Sequence, residues 1–223
     1  MFEITFIANC GLLIEAGGIK ILVDAPYKGG VDGLSDMPKA LESQIMDGAS
    51  PFDHIDYMLF THKHPDHYSE KLLNDYLTKH VIKQVILPGK DIESGVLSLS
   101  DSLRLYIYST AHLGKEFAGV QHFCYVLESG GEAIFISADV DYVTTDFSFL
   151  NQHRISAAFV NPLMFHMLLR LPNLKNIHAD KFVIYHLPSE IDDTHNMRQL
   201  IEKDVAMDKN CSMFSSSLIK IYC

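Results

Sequence analysis

The apolar run Met58-Leu59-Phe60 leads directly into Thr61-His62-Lys63-His64-Pro65-Asp66-His67, and this junction constrains the fold more than any other stretch of the chain. In an extended backbone, side chains two residues apart project to the same side, so His62 and His64 can share one cation. Pro65 ends the extended run. Asp66 and His67 then fall just ahead of a helical pattern over residues 69–79. There Ser69 is a cap, Glu70 suits the first turn, and Leu72, Leu73, Tyr76 and Leu77 form one apolar face. A fold built on this segment must bring a strand end and a helix start to one point. Imidazoles and a carboxylate gathered there suit Zn2+ and, with more oxygen donors, Mn2+ or Fe2+.

The same placement recurs downstream. His112 comes shortly after the apolar run 103–108, Asp139 after Ile134-Phe135-Ile136, and His186 directly after Val183-Ile184-Tyr185. Sheet proteins tend to set their sites at the carboxyl ends of strands. Any one of these residues alone reads as a loop residue or a helix cap. Together with the heptapeptide they form the set a shared site requires.

Apolar and β-branched runs predict strands over 4–8, 12–15, 19–23, 57–60, 85–87, 103–108, 123–128, 133–137, 157–160 and 182–185, with Gly17-Gly18 as a hairpin turn. Helical patterns fall at 37–46, 69–79, 146–152 and 196–202. Strands paired early and later mixed with helices indicate an α/β or α+β arrangement. No linker or low-complexity stretch divides the 223 residues, so one domain over 1–223 is expected.

A net charge of −10 argues against a general nucleic-acid or anionic-membrane surface, leaving a small-molecule substrate as the expected partner. No apolar stretch approaches the ~20 residues needed to span a bilayer. The first six residues have no basic region, and the four cysteines form no C-x-x-C pair, so reduced thiols and a cytoplasmic location are expected. Neither G-x-S-x-G nor a Walker A loop is present. Of the twelve histidines, His195 is a candidate for the pocket, while His54, His80, His122, His153, His166 and His178 lack supporting spacing and read as structural or exposed. Lys63 and Lys115 stand near proposed ligands but read first as solvated charges, and Cys10 reads as a buried small side chain.

In order, Asp24 after Ile21-Leu22-Val23, then Thr61–His67, His112 in Ser109-Thr110-Ala111-His112, Asp139 in Ile136-Ser137-Ala138-Asp139, and His186 resemble the five motifs of the metallo-β-lactamase superfamily. The resemblance covers nearly the whole chain. The short length and hairpin opening are most similar to the branch containing L-ascorbate-6-phosphate lactonase and related metal-dependent hydrolases. The family implies a four-layer αββα sandwich and two divalent cations, Zn2+ before Mn2+ or Fe2+. By motif position His62, His64 and His112 would hold the first cation and Asp66, His67 and His186 the second, with Asp139 bridging and Asp24 steadying the site by hydrogen bonding. Such a centre makes hydroxide from a bridging water, with Asp66 as the catalytic residue that orients it and passes on its proton. The implied activity is hydrolysis of a small ester, lactone or phosphodiester. The alternatives are a nuclease or phosphodiesterase of the same fold, a one-iron redox variant, or a metal-stabilised binding protein without turnover. One departure is Ala138, where many relatives carry glycine; a shift in packing without loss of a ligand is expected there.

Overall fold

In the computed structural model, which describes residues 1–89, 94–168, 170–206, 210–214 and 217–223, the opening strands β1 (Glu3–Phe6), β2 (Leu12–Ala16) and β3 (Ile19–Val23) pair antiparallel in chain order. Gly17 and Gly18 adopt φ of +58° and +75°, the left-handed pair that a two-residue hairpin needs and that only glycine enters freely. After helix α1 (Lys39–Met46) the chain adds β4 (Tyr57–Leu59) parallel to β3, and after α2 (Glu70–Leu77) it adds β5 (Gln84–Ile86) parallel to β4.

The second sheet starts with β6 (Gly95–Ser98), β7 (Leu103–Thr110), β8 (His122–Ser129) and β9 (Glu132–Ile136), all antiparallel neighbours. It then continues in parallel through β10 (Ile155–Val160), β11 (Phe182–Ile184) and β12 (Cys211–Met213), with α3 (Pro162–Met167) and α4 (Met197–Val205) as connections. A last strand, β13 (Lys220–Tyr222), returns to pair with β1.

Burial explains the layering. Ile4, Ile14, Ile21 and Leu59 of the first sheet meet Leu105, Tyr125, Ile134 and Phe159 of the second in one cluster, each side chain contributing about 1.5–3 kcal/mol by leaving water. The opposite faces are covered by helices. Leu41 and Ile45 of α1 and Leu73 and Tyr76 of α2 pack on Leu13, Leu22, Met58 and Phe60. Met164 and Phe165 of α3 and Ile201 of α4 pack on Val126, Phe135, Val160 and Ile184. The order is therefore helix, sheet, sheet, helix. Among the described residues no helix is long and apolar enough to cross a membrane.

The expected helix over 146–152 is a 3₁₀ helix at Phe147–Gln152. Phe147 and Leu150 are its buried residues, and their spacing of three matches a helix with three residues per turn. Ser69 does cap α2, its Oγ accepting from the Leu72 N–H at 3.4 Å. The strands β6, β12 and β13 and the helix α3 were not expected from patterning. β13 is fixed by pairing Ile221 with Ile4, a partner at the other end of the chain.

β3, β4, β7, β9 and β11 all end at the same edge, where the two sheets are tied together. The Tyr125 hydroxyl donates to the Phe60 carbonyl at 2.6 Å, the Phe123 N–H to the Thr61 carbonyl at 2.8 Å, and the His186 N–H to the Asn9 carbonyl at 2.7 Å.

Candidate metal centre

Each chemistry-bearing side chain at this edge sits within three residues of a strand end, except for the far part of the Thr61–His67 turn. Two of these positions, with Ala138 just before Asp139 and Asn9 facing them, adopt left-handed backbone: φ is +47° at Asn9, +47° at Asp24, +44° at Ala138 and +59° at His186. For non-glycine residues this costs roughly 1–2 kcal/mol each and persists where surrounding bonds hold it. The Ala138 N–H donates to the Tyr185 hydroxyl at 3.0 Å, and its carbonyl accepts from Asn161 Nδ2 at 2.8 Å. Alanine at 138 thus stands in a backbone that favours glycine.

The expected residues converge in two groups, each with its donor atoms within 4.8 Å of one another: His62, His64 and His112 form one, and Asp66, His67, Asp139 and His186 the other. In the first the three rings stand 4.6–4.7 Å apart between centroids and steeply inclined to one another. The Nε2 atoms of His62 and His112 are buried without a hydrogen-bond partner among the described residues. In the second, the two Nε2 atoms of His67 and His186 face each other at 2.8 Å, and Asp66 Oδ2 lies 3.4 and 3.3 Å from them. Asp139 stands between the groups. Its Oδ2 is 3.7 Å from His62 Nε2, 3.8 Å from His112 Nε2, 3.3 Å from His67 Nε2 and 3.5 Å from His186 Nε2.

Asp24, fully buried beneath the site, sets the tautomers. Its Oδ1 accepts from the Thr61 N–H at 2.8 Å, and its Oδ2 accepts from Thr61 Oγ1 at 2.8 Å and from His67 Nδ1 at 2.9 Å. Because Thr61 Oγ1 gives its hydrogen to Asp24, it must accept from His62 Nδ1, 3.0 Å away. His112 Nδ1 donates to the Leu113 carbonyl at 2.7 Å. In all three rings Nε2 is left to face the centre, which is how ligating imidazoles are oriented. Two buried lone pairs without partners, beside imidazoles and carboxylates, are a donor set that fits divalent cations.

The surroundings shift the groups in opposite directions. Burial pushes His62 well below the ordinary imidazole value, aided by His67, and pushes His64 down, aided by His112. Burial also opposes charge on His186, but Asp139 and Asp66 overcome it and raise the ring to about 9. Burial works against the Asp66 carboxylate too, yet His67 and His186 hold it down at about 2.

A cavity of about 320 Å³ opens over His112, Asp139 and His186. His195 lines it, whereas Lys63 and Lys115 do not; Lys63 lines a separate depression beside His64. Cys10 is buried as expected, but its thiol also donates to the Asp66 carbonyl at 2.9 Å, and burial pushes it up to about 12. Sequence reasoning passed over His122. It is fully buried with its ring 5.3 Å from His62 and 5.7 Å from His112, and its Nε2 has no partner among the described residues. The carboxyl-end rule missed it because it begins its strand. The antiparallel register of β7 and β8, Thr110 opposite His122, brings that start to the same edge.

No family model and no curated sequence matches the chain. Among solved structures it is similar to Igni18, a metallo hydrolase from the archaeon Ignicoccus hospitalis, at 13% identity and TM-score 0.63, over 99% of this chain and 97% of that one. It is similar to YhfI, a metallo-β-lactamase fold protein of Bacillus subtilis, at 14% identity and TM-score 0.60, over 99% of this chain and 98% of that one. It also resembles CmlA, a diiron β-hydroxylase of Streptomyces venezuelae, at 11% identity and TM-score 0.64, over 100% of this chain but 54% of that one. The chain has the metallo-β-lactamase fold. At these identities the likeness is one of fold, and it spans proteins of different chemistry.

Proposed function

We propose that this chain is a metal-dependent hydrolase, a single domain over residues 1–223, acting on a small ester, lactone or phosphodiester. In this reading His62, His64 and His112 hold one cation, Asp66, His67 and His186 hold the other, and Asp139 is shared. The observation that carries it is the position of Asp139 Oδ2, 3.3 to 3.8 Å from four imidazole Nε2 atoms drawn from both groups. Zn2+ suits the imidazole-rich set best, and Mn2+ and Fe2+ share its donors. Two such cations, when bound, supply an activated water near neutral pH and polarise the substrate oxygen.

The chain's own residues do the rest. Asp66, held ionised, accepts a hydrogen from the attacking water, orients it, and passes a proton to the leaving oxygen. Asp24 and Thr61 keep the Nε2 atoms of His62 and His67 turned inward. The cavity above His112 and Asp139 receives the substrate.

The test is metal content by elemental mass spectrometry on protein purified without chelator, repeated for His64→Ala and Asp139→Ala. About two Zn2+, Mn2+ or Fe2+ per chain are expected, reduced in both variants, with ester or lactone cleavage lost alongside. Failure to take up supplied Zn2+ or Mn2+ would overturn the reading, and a single iron per chain would turn it toward oxidation.

A further inference from the structure

We propose that the cavity over the centre takes a carboxylic ester or lactone with an apolar body and zero or positive charge, and turns away phosphorylated and other anionic substrates. This rests on the hydrolase reading above and narrows its substrate class. The cavity, about 320 Å³, lies at the small end of ligand pockets. Its floor is His112, Asp139 and His186, and its walls include Leu34, Leu113, Phe117, Leu163 and Met197. The Phe117 ring stands against His64 and His112, at 4.8 and 5.0 Å between centroids, so an apolar substrate body meets an aromatic face beside the reacting group.

The rim carries three carboxylates, Asp32, Glu116 and Asp193, and no lysine or arginine lines the cavity among the described residues. Asp193 accepts from the Met197 and Arg198 N–H groups, both at 2.8 Å, and is spent capping α4. Asp32 and Glu116 are exposed and stand at the mouth. Glu116 folds back over Gly114, where a Cβ would lie 3.0 Å from its Oε1. Recognition of a phosphate calls for a guanidinium fork, an ammonium or a cluster of backbone N–H groups. The cavity's side chains offer neither cationic group. Cations at the floor favour developing negative charge on the scissile group, so charge selection acts on the end of the substrate remote from the reacting bond. There a cleft of one sign alters capture by about tenfold or more.

His195 is the one imidazole at the rim. Its ring covers Gly33, where a Cβ would lie 2.7 Å from Cδ2.

The test uses metal-loaded, full-length protein and three 4-nitrophenyl esters that differ only at the acyl tail: butyrate, 4-trimethylammoniobutyrate and hemisuccinate. Relative to the hemisuccinate, kcat/KM is expected to be about tenfold or more higher for the cationic ester, with the neutral one between or equal to the cationic. The cation-to-anion ratio should shrink in ~0.5 M salt, since exposed charges are screened over a few ångströms there. It should also shrink several-fold in Glu116→Gln and Asp32→Asn. The matching anilides, titrated by calorimetry, report the same order without turnover. Equal or tighter binding of the anionic anilide, binding of none of the three, or a ratio untouched by both substitutions would overturn the charge assignment. Cleavage of no ester by protein holding two cations, with the anilides still ranked by charge, would instead overturn the hydrolase reading.

Discussion

The two donor groups share one edge of the fold and one short turn of chain, yet they differ sharply in electrostatics. His62, His64 and His112 include no carboxylate; burial pushes His62 and His64 down, and the Nε2 lone pairs of His62 and His112 turn inward. Asp66, His67, Asp139 and His186 satisfy one another instead. Two ring nitrogens 2.8 Å apart can face each other only with one proton between them, and the flanking carboxylates stabilise that proton. The first group presents imidazole nitrogens without partners among the described residues, and the second holds a proton between two rings. A well-bonded cluster of histidines and aspartates is therefore no argument against metal binding, because protons reproduce its charge balance.

Acidity should break the symmetry most strongly. Because His186 is raised to about 9, a metal entering its group below that value must displace a proton, and affinity falls as pH falls. The loss is about tenfold per pH unit for one proton, or roughly a hundredfold between about pH 9 and pH 7. His62 and His64 are lowered, so across the same range they hold no proton to displace. Zn2+ titration at the two pH values is expected to weaken one binding step of two, and equal weakening of both would erase the distinction.

Removing the shared support comes next in size. Asp24→Asn disturbs the acceptor of His67 Nδ1 directly and that of His62 Nδ1 through Thr61, so both steps should weaken by about 10–100-fold. Stability should fall by about 1–3 kcal/mol, read from the denaturant midpoint, because the buried donors lose an acceptor oxygen. Thr61→Val sharpens the contrast, since it removes the partner of His62 Nδ1 while His67 keeps Asp24. Its effect should fall mainly on the three-imidazole step.

A last effect, read on stability rather than on metal affinity, belongs to His122, lowered by burial to about 3. Between that value and the ordinary 6.5, the unfolded chain binds a proton that the folded chain refuses, so stability rises with pH across this window. The slope is up to about 1.4 kcal/mol per pH unit for one group. His122→Leu should flatten the stability curve by about that amount at pH values around 4–6, measured by denaturation of metal-free protein. An unchanged slope would mean that His122 is not held neutral.

How much of this was legible in the sequence follows from the range of each interaction. The Thr61–His67 turn, the Gly17-Gly18 hairpin and the Ser69 cap are local, so spacing and residue type revealed them. The convergence of His112, Asp139 and His186 on one edge was legible because each closely follows an apolar strand, a rule that needs only strand direction. His122 required the register of β7 against β8, and β13 required a partner at the opposite end of the chain. α3 had a usable signal that was passed over. Asn161 caps it, accepting from the Met164 N–H at 2.8 Å, with Pro162 at its first turn. The link from His62 through Thr61 to Asp24 depends on side-chain geometry that no spacing rule contains.

Along three connections the chain places its donors and its cavity rim at different distances from the same strand end. Past β3, Asp24 comes first and Asp32 and Gly33 later; past β7, His112 precedes Glu116 and Phe117; past β11, His186 precedes Asp193 and His195. Each connection thus has its root in a sheet and its crown at the cavity mouth. Insertions or exchanges in segments 29–36, 114–119 and 189–195 would redraw what the cavity accepts while the roots stay anchored in the sheets. The cavity's rim is in this sense set by different residues from those that hold the donor groups together.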